Sequence, residues 1–145
     1  MHECHSADDR SAAEASDEQR IRRLLGTYGQ ALGAGDLTAV ADCYAYPSVI
    51  IGDDTTMTVS SADQVESFFG AAAEQYRNAG MATAHAEIER IDRLGSKPGV
   101  LWSVDVRWSN RDGDGVERAT ESHRYVVRRA GDAVAICAVI PRFSP

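Results

Sequence analysis

The sequence predicts a single α+β domain, with helices gathered toward the N-terminus and an antiparallel sheet after them. Up to Gly80, apolar residues recur mostly at three- and four-residue spacing, as in helices buried along one face. Beyond Gly80, polar and apolar residues alternate through four stretches joined by glycine-bearing connectors, which is strand and hairpin chemistry. No internal repeat or linker divides the 145 residues, a length that suits one domain burying roughly two thirds of its unfolded surface.

Residues 1–15 are small and polar without periodicity and are expected to form a disordered tail, leaving 16–143 as the domain. The tail carries His2, Glu3, Cys4 and His5, but a metal site needs fixed geometry, so no metal centre is expected there. Helix one starts at Ser16, a good N-cap, with Asp17 and Glu18 in the positive first turn and Gln19 at the capping-box position. Ile21, Leu24, Leu25, Tyr28 and Leu32 line one face of it, and Gly33 and Gly35 end it. Asp36 caps a short second helix carrying Leu37, Val40 and Tyr44, closed by Pro47. Ser48–Ile51 reads as a short buried strand, residues 52–55 as a turn, and Met57–Val59 as a return strand. Ser60 or Ser61 caps helix three, whose apolar side is Val65, Phe68, Phe69, Ala72 and Tyr76, and Asn78 to Gly80 stop it.

Four strands follow, over 83–94, 100–108, 117–127 and 134–140. Their connectors, 95–99, 111–115 and 130–132, are rich in glycine and aspartate, as hairpin turns require. Asp112-Gly-Asp-Gly115 resembles a calcium loop superficially but lacks its later bidentate glutamate, so a hairpin turn is expected.

Charge and cysteine usage exclude several classes. A net charge of −7 and a pI near 5.0 argue against nucleic acid or an anionic membrane surface as partner. No apolar run approaches the ~20 residues a membrane span needs, and the N-terminus lacks signal-peptide character, so a cytoplasmic protein is expected. Three cysteines make no disulfide framework and have no zinc-site spacing; Cys43 and Cys137 read as small hydrophobes.

Ala34-Gly-Asp-Leu37 is followed by Tyr44 and Pro47 before a strand, Asp112-Gly before another, and Tyr125-Val-Val-Arg-Arg129 ahead of the final hairpin. In this order, over about residues 16–143, the chain resembles the nuclear transport factor 2 (NTF2)-like superfamily, which also holds SnoaL-type cyclases and steroid isomerases. It looks nearest to an uncharacterised bacterial branch. Ala133-Val-Ala-Ile136 departs from the Gly-Trp-(Lys/Arg)-Ile that many relatives carry. The resemblance implies a cone, three N-terminal helices packed on a curved antiparallel sheet, enclosing an apolar pocket for a small hydrophobic molecule. It implies no cofactor.

Candidate site residues come partly from pattern and partly from the resemblance. Tyr28 falls on the apolar face of helix one, so its phenol is buried and seeks a partner. The resemblance implies that Tyr28 matches the steroid isomerases' hydrogen-bond donor to an enolate oxygen, and that His123 stands where they place a protonated aspartic acid. Their proton-abstracting aspartate falls on Gly52, with Asp53 next to it, and a one-residue slip turns a strand side chain to the other face. Tyr44, Phe68, Arg107 and Tyr125 are expected to line the pocket.

The strand 101–108 divides into Trp102, Val104, Val106 and Trp108 on one face, and Ser103, Asp105 and Arg107 on the other. With the polar set inward, Asp105 and Arg107 join Glu121 and His123 in a buried charged group that resembles, in reversed order, the Asp and Arg of the superfamily's epoxide hydrolases. With the tryptophans inward, those polar residues form a solvated ladder. In the first case the tryptophan face is free to build a homodimer through the sheet. His85 and Glu87 read as a surface pair. Three functions follow: an isomerase, cyclase or hydrolase with Asp53 or Asp105 as base; a non-catalytic binder; or a dimerisation module with a vestigial pocket.

Overall fold

The computed structural model describes residues 2–142, with side chains for residues 15–141. The order is α1 (His2–Ala34), α2 (Leu37–Asp42), β1 (Tyr44–Ile51), β2 (Thr56–Val59), α3 (Ala62–Asn78), β3 (Met81–Leu94), β4 (Leu101–Asp112), β5 (Glu117–Ala130) and β6 (Ala133–Arg142). This is an α+β fold with one six-stranded sheet, ordered β2-β1-β6-β5-β4-β3. No helix among the described residues is long and apolar enough to cross a membrane.

The sheet is mixed, not wholly antiparallel as expected. β3 to β6 form a meander, but β6 then lies parallel to β1, because the chain returns to the hairpin β1–β2 only after α3 and three strands. The three helices are also unequal. α2 has six residues, and the β1–β2 hairpin separates it from α3.

Helix one starts earlier than its capping signal. Residues 2–25 contain neither Gly nor Pro, so helix propagates back through the stretch expected to be disordered, and Ser16 lies inside it. Met1 and the side chains of His2, Glu3, Cys4 and His5 lie outside the described residues. At the other end, Gly33 is helical and Gly35 takes the positive φ, 68°, that stops the helix. Asp36 Oδ1 accepts from the Ala39 amide, the predicted cap of α2. Tyr44 is not helical but opens β1, since Cys43 already caps α2, and Pro47 lies within β1 at an irregularity in its pairing with β6. Ser61 caps α3 through the Gln64 amide.

α1 packs chiefly on β3, and α2 on α3. Glycines set how close α1 can come: a Cβ at Gly29 would sit 2.5 Å from the Ala84 carbonyl oxygen and 2.8 Å from Trp108 Cζ3, and one at Gly33 would sit 2.8 Å from the Ala82 carbonyl oxygen.

The tryptophan face is the core. Trp102, Val104, Val106 and Trp108 are buried with Ile21, Leu25 and Tyr28. Burying two indoles and two valines outweighs sheltering a polar ladder. The tryptophans therefore lie within one chain rather than at a sheet-face dimer contact.

Candidate functional site

α1, α3 and the inner face of the sheet leave a cavity of about 470 Å³, with Tyr28, Tyr44, Phe68, Phe69, Trp108 and Tyr125 among its lining. Each element brings its residue by periodicity. Tyr28 sits on the buried stripe of α1, Phe68 and Phe69 on the inner side of α3, and Trp108 on the inward face of β4. Tyr125 and His123 share the inward face of β5, as does Glu121.

The deep end is aromatic. The Tyr28 ring meets those of Tyr44, Phe69, Trp108 and Tyr125 at centroid distances of 5.8, 6.4, 5.9 and 6.0 Å. Its Oη lies 2.7 Å from Tyr44 Oη, and Trp108 Nε1 donates to Tyr125 Oη at 2.8 Å. Donor counting then has a consequence. Among the described residues, two phenols sharing one hydrogen bond leave one O–H unspent, and the indole can only donate, so the Tyr125 proton is unspent as well. Burial, and then the neighbouring phenols Tyr44 and Tyr125, push the Tyr28 pKa well above its ordinary value. Burial likewise raises Tyr44 and Tyr125, opposed by their hydrogen bonds with Tyr28 and Trp108 respectively. All three are therefore neutral donors at physiological pH rather than bases.

The rim is polar. Glu121 Oε2 lies 3.7 Å from His123 Nε2, and Tyr76 Oη, which donates to the Thr83 carbonyl at 2.6 Å, lies 3.2 Å from Asn110 Oδ1. The adjacent His123 imidazole is the main cause that holds the Glu121 carboxyl below its usual range, with Asn110 assisting and burial opposing. His123 Nδ1 is buried without a hydrogen-bond partner among the described residues.

The sequence-predicted residues separate into two groups. Tyr28, Tyr44, Phe68, His123 and Tyr125 line the cavity, with Phe68 45% exposed at its mouth. Asp53, Asp105 and Arg107 do not. Asp53 is exposed in the β1–β2 turn, beyond the end of β1 and one residue out of phase with the inward position of the pleat. Asp105 and Arg107 point to the outer face of β4, because the tryptophans claim the inner one. There Arg124 holds Asp105 through two bonds of 2.7 and 3.2 Å, while Arg107 pairs with Glu87 at 2.6 Å and Glu117 at 3.3 Å. The anticipated four-residue charged group is thus split, with Glu121 and His123 inside and the other two outside. Trp108, Phe69 and Asn110 were missed as site residues. Asp112 makes a hairpin turn, its Oδ1 accepting from the amides of Asp114 and Val116. Among the described residues, no three His, Cys, Asp or Glu converge as a metal site would need.

A helix-backed six-stranded sheet with its cavity between helices and sheet defines an NTF2-like protein. A family model described as NTF2-like protein (DUF6841) matches residues 16–143, and the chain belongs to that family. Several solved structures share the fold. One is a domain of unknown function with a cystatin-like fold from Nostoc punctiforme (TM-score 0.69, 15% identity, 89% of this chain and 78% of that one). Others are an NTF2-like protein with a cystatin-like fold from Novosphingobium aromaticivorans (0.67, 13%, 92% and 85%) and an NTF2-like protein of unknown function from Shewanella oneidensis (0.63, 18%, 86% and 97%). No curated protein matches the chain.

Proposed function

We propose that this protein binds a small hydrophobic molecule carrying a hydrogen-bond-accepting oxygen, and that it does so in the aromatic cavity. The observation that carries the reading is the pair of unspent phenolic protons, one on Tyr125 and one on the Tyr28–Tyr44 pair, at an otherwise apolar deep end. An apolar cavity with a few convergent polar groups is the usual form of a ligand site. Two neutral donors lining one cavity suit a carbonyl or ether oxygen. Binding without turnover is the reading preferred here, since Asp53 and Asp105 stand outside the cavity. Proton transfer without a cofactor is the second reading, favoured by one observation: a carboxylate and an imidazole, Glu121 and His123, share the rim.

Thermal-shift screening against ring ketones, phenols and terpenoid epoxides tests the proposal. A ligand at a hundredfold excess over Kd stabilises by about 2.7 kcal/mol. Tyr125→Phe and Tyr44→Phe should weaken ketone binding, while a panel without any shift would refute the reading. Turnover of a hit that is lost in Glu121→Gln would favour the second reading over the first.

A further inference from the structure

We infer that the cavity selects ring compounds polar at both ends, with an acceptor oxygen at the phenol end and a hydroxyl at the rim, where Glu121 is the specificity-determining acceptor. This rests on the reading of the cavity as a ligand site. Glu121 is the carboxylate among the lining residues, and its side chain is 62% exposed, so a guest can reach it. A carboxylate offers about four lone-pair positions. His123, at 3.7 Å, and Asn110 leave some of them open.

The two ends also set a direction for the guest. Glu121 and Tyr125 lie on one face of β5 four residues apart, so their Cα atoms are about 13 Å apart at about 3.3 Å per residue. A guest that meets both ends therefore runs along the inner face of β5, as a fused-ring compound can. The apolar walls between them, Phe69 and Trp108 among them, suit such a ring system.

Isothermal titration of the full chain with 2-tetralone, 6-hydroxy-2-tetralone and 6-methoxy-2-tetralone tests this. The hydroxy ketone should bind at least about 10-fold more tightly than the other two, because a hydrogen bond to a charged acceptor is worth that much. Glu121→Leu should erase the preference, bringing the ratio of hydroxy-ketone to 2-tetralone affinity to about one, circular dichroism and melting confirming a folded variant. Equal affinity of 2-tetralone and its hydroxy derivative for the native chain would overturn the inference and leave the ligand site standing. That comparison needs no variant. A hydroxyl preference that survives Glu121→Leu would overturn the role of Glu121. Failure of all three ketones to bind, together with a thermal-shift panel that stays flat, would remove the ligand site and this inference with it.

Discussion

Replacing Gly29 by alanine should destabilise the protein, although it adds the best helix former to the interior of a helix. The new Cβ would stand 2.5 Å from the Ala84 carbonyl oxygen and 2.8 Å from Trp108 Cζ3. Ordinary contact begins at about 3.4 Å, so α1 must lift off β3 by most of an ångström or the buried indole must turn. Neither neighbour is the free end of a flexible side chain. Overpacking of this kind costs about 1–3 kcal/mol, and helix propensity offsets about 1 kcal/mol of it. The net loss is up to about 2 kcal/mol, or a melting temperature lower by up to roughly 8 °C for a domain of this size. Gly26 supplies the control: it lies in the same helix with nothing within 4 Å of a built Cβ, so Gly26→Ala should gain about 0.5–1 kcal/mol. Calorimetry or urea unfolding of the two variants must therefore give opposite signs. A Gly29→Ala protein that melts at or above the native temperature would refute the close helix–strand approach, and with it the cavity wall at Trp108.

Tyr125→Phe should cost about 1–3 kcal/mol in urea unfolding, because it leaves the buried Trp108 N–H without its acceptor; an unchanged midpoint would contradict that bond. In an ultraviolet alkaline titration the phenols of Tyr28, Tyr44 and Tyr125 should stay silent until the protein unfolds, because burial raises all three. The sign follows: above pH ~10 the unfolded chain releases protons that the folded one retains, so stability falls as pH rises. Smooth ionisation of all five tyrosines in folded protein would refute it. The Arg118 guanidinium, first, and the Val116 and Asp114 amides hold Asp112 below its usual pKa, 3.8, so its contribution is present above that value and disappears as pH falls through the lowered one. The stability gap between native protein and Asp112→Ala should therefore narrow between pH 7 and pH 3, and a gap that widens would exclude the linkage.

Much of the fold was legible because local chemistry and global topology agree. Asp36 and Ser61 as caps, the glycine stop after α1, and the three hairpin connectors all fall where turn and cap preferences place them. What the sequence could not supply was long-range pairing. The parallel contact of β1 with β6 joins segments nearly ninety residues apart, and no local pattern encodes it. The tail was misread for a different reason: polarity without periodicity looks disordered, yet an uninterrupted run without Gly or Pro propagates a helix already begun.

At the site, the sheet's parity was available and decisive. Tyr125 and Val127 face the core, so His123 and Glu121, at even spacing from them, must as well. Opposite them across the ladder stand Val106 and Trp108, whereas Asp105 faces Arg124. A group made of Asp105, Arg107, Glu121 and His123 was therefore forbidden by the pleat once the hairpin register is set. The misplaced Asp53 has a similar origin, since it lies past the last residue of β1, where the pleat no longer directs side chains. The bond from Trp108 to Tyr125 had no sequence signal at all; it exists because those positions share a face and the two long side chains reach across the intervening Val106–His123 rung.

The place of β6 between β1 and β5 makes a strand synthesised after both of its neighbours the keystone of the sheet. Until it arrives, β1–β2 and β3–β5 are two ribbons with bare edges and no covalent reason to meet in the right order. The ribosome therefore releases the keystone after everything it must join, and a delay at that moment leaves strand edges open to pairing between neighbouring chains. Val139 and Pro141 of this same strand also line the cavity, so the cavity closes only once β6 is in place. A bound guest would then act as a certificate of finished assembly, holding shut the seam that closes last.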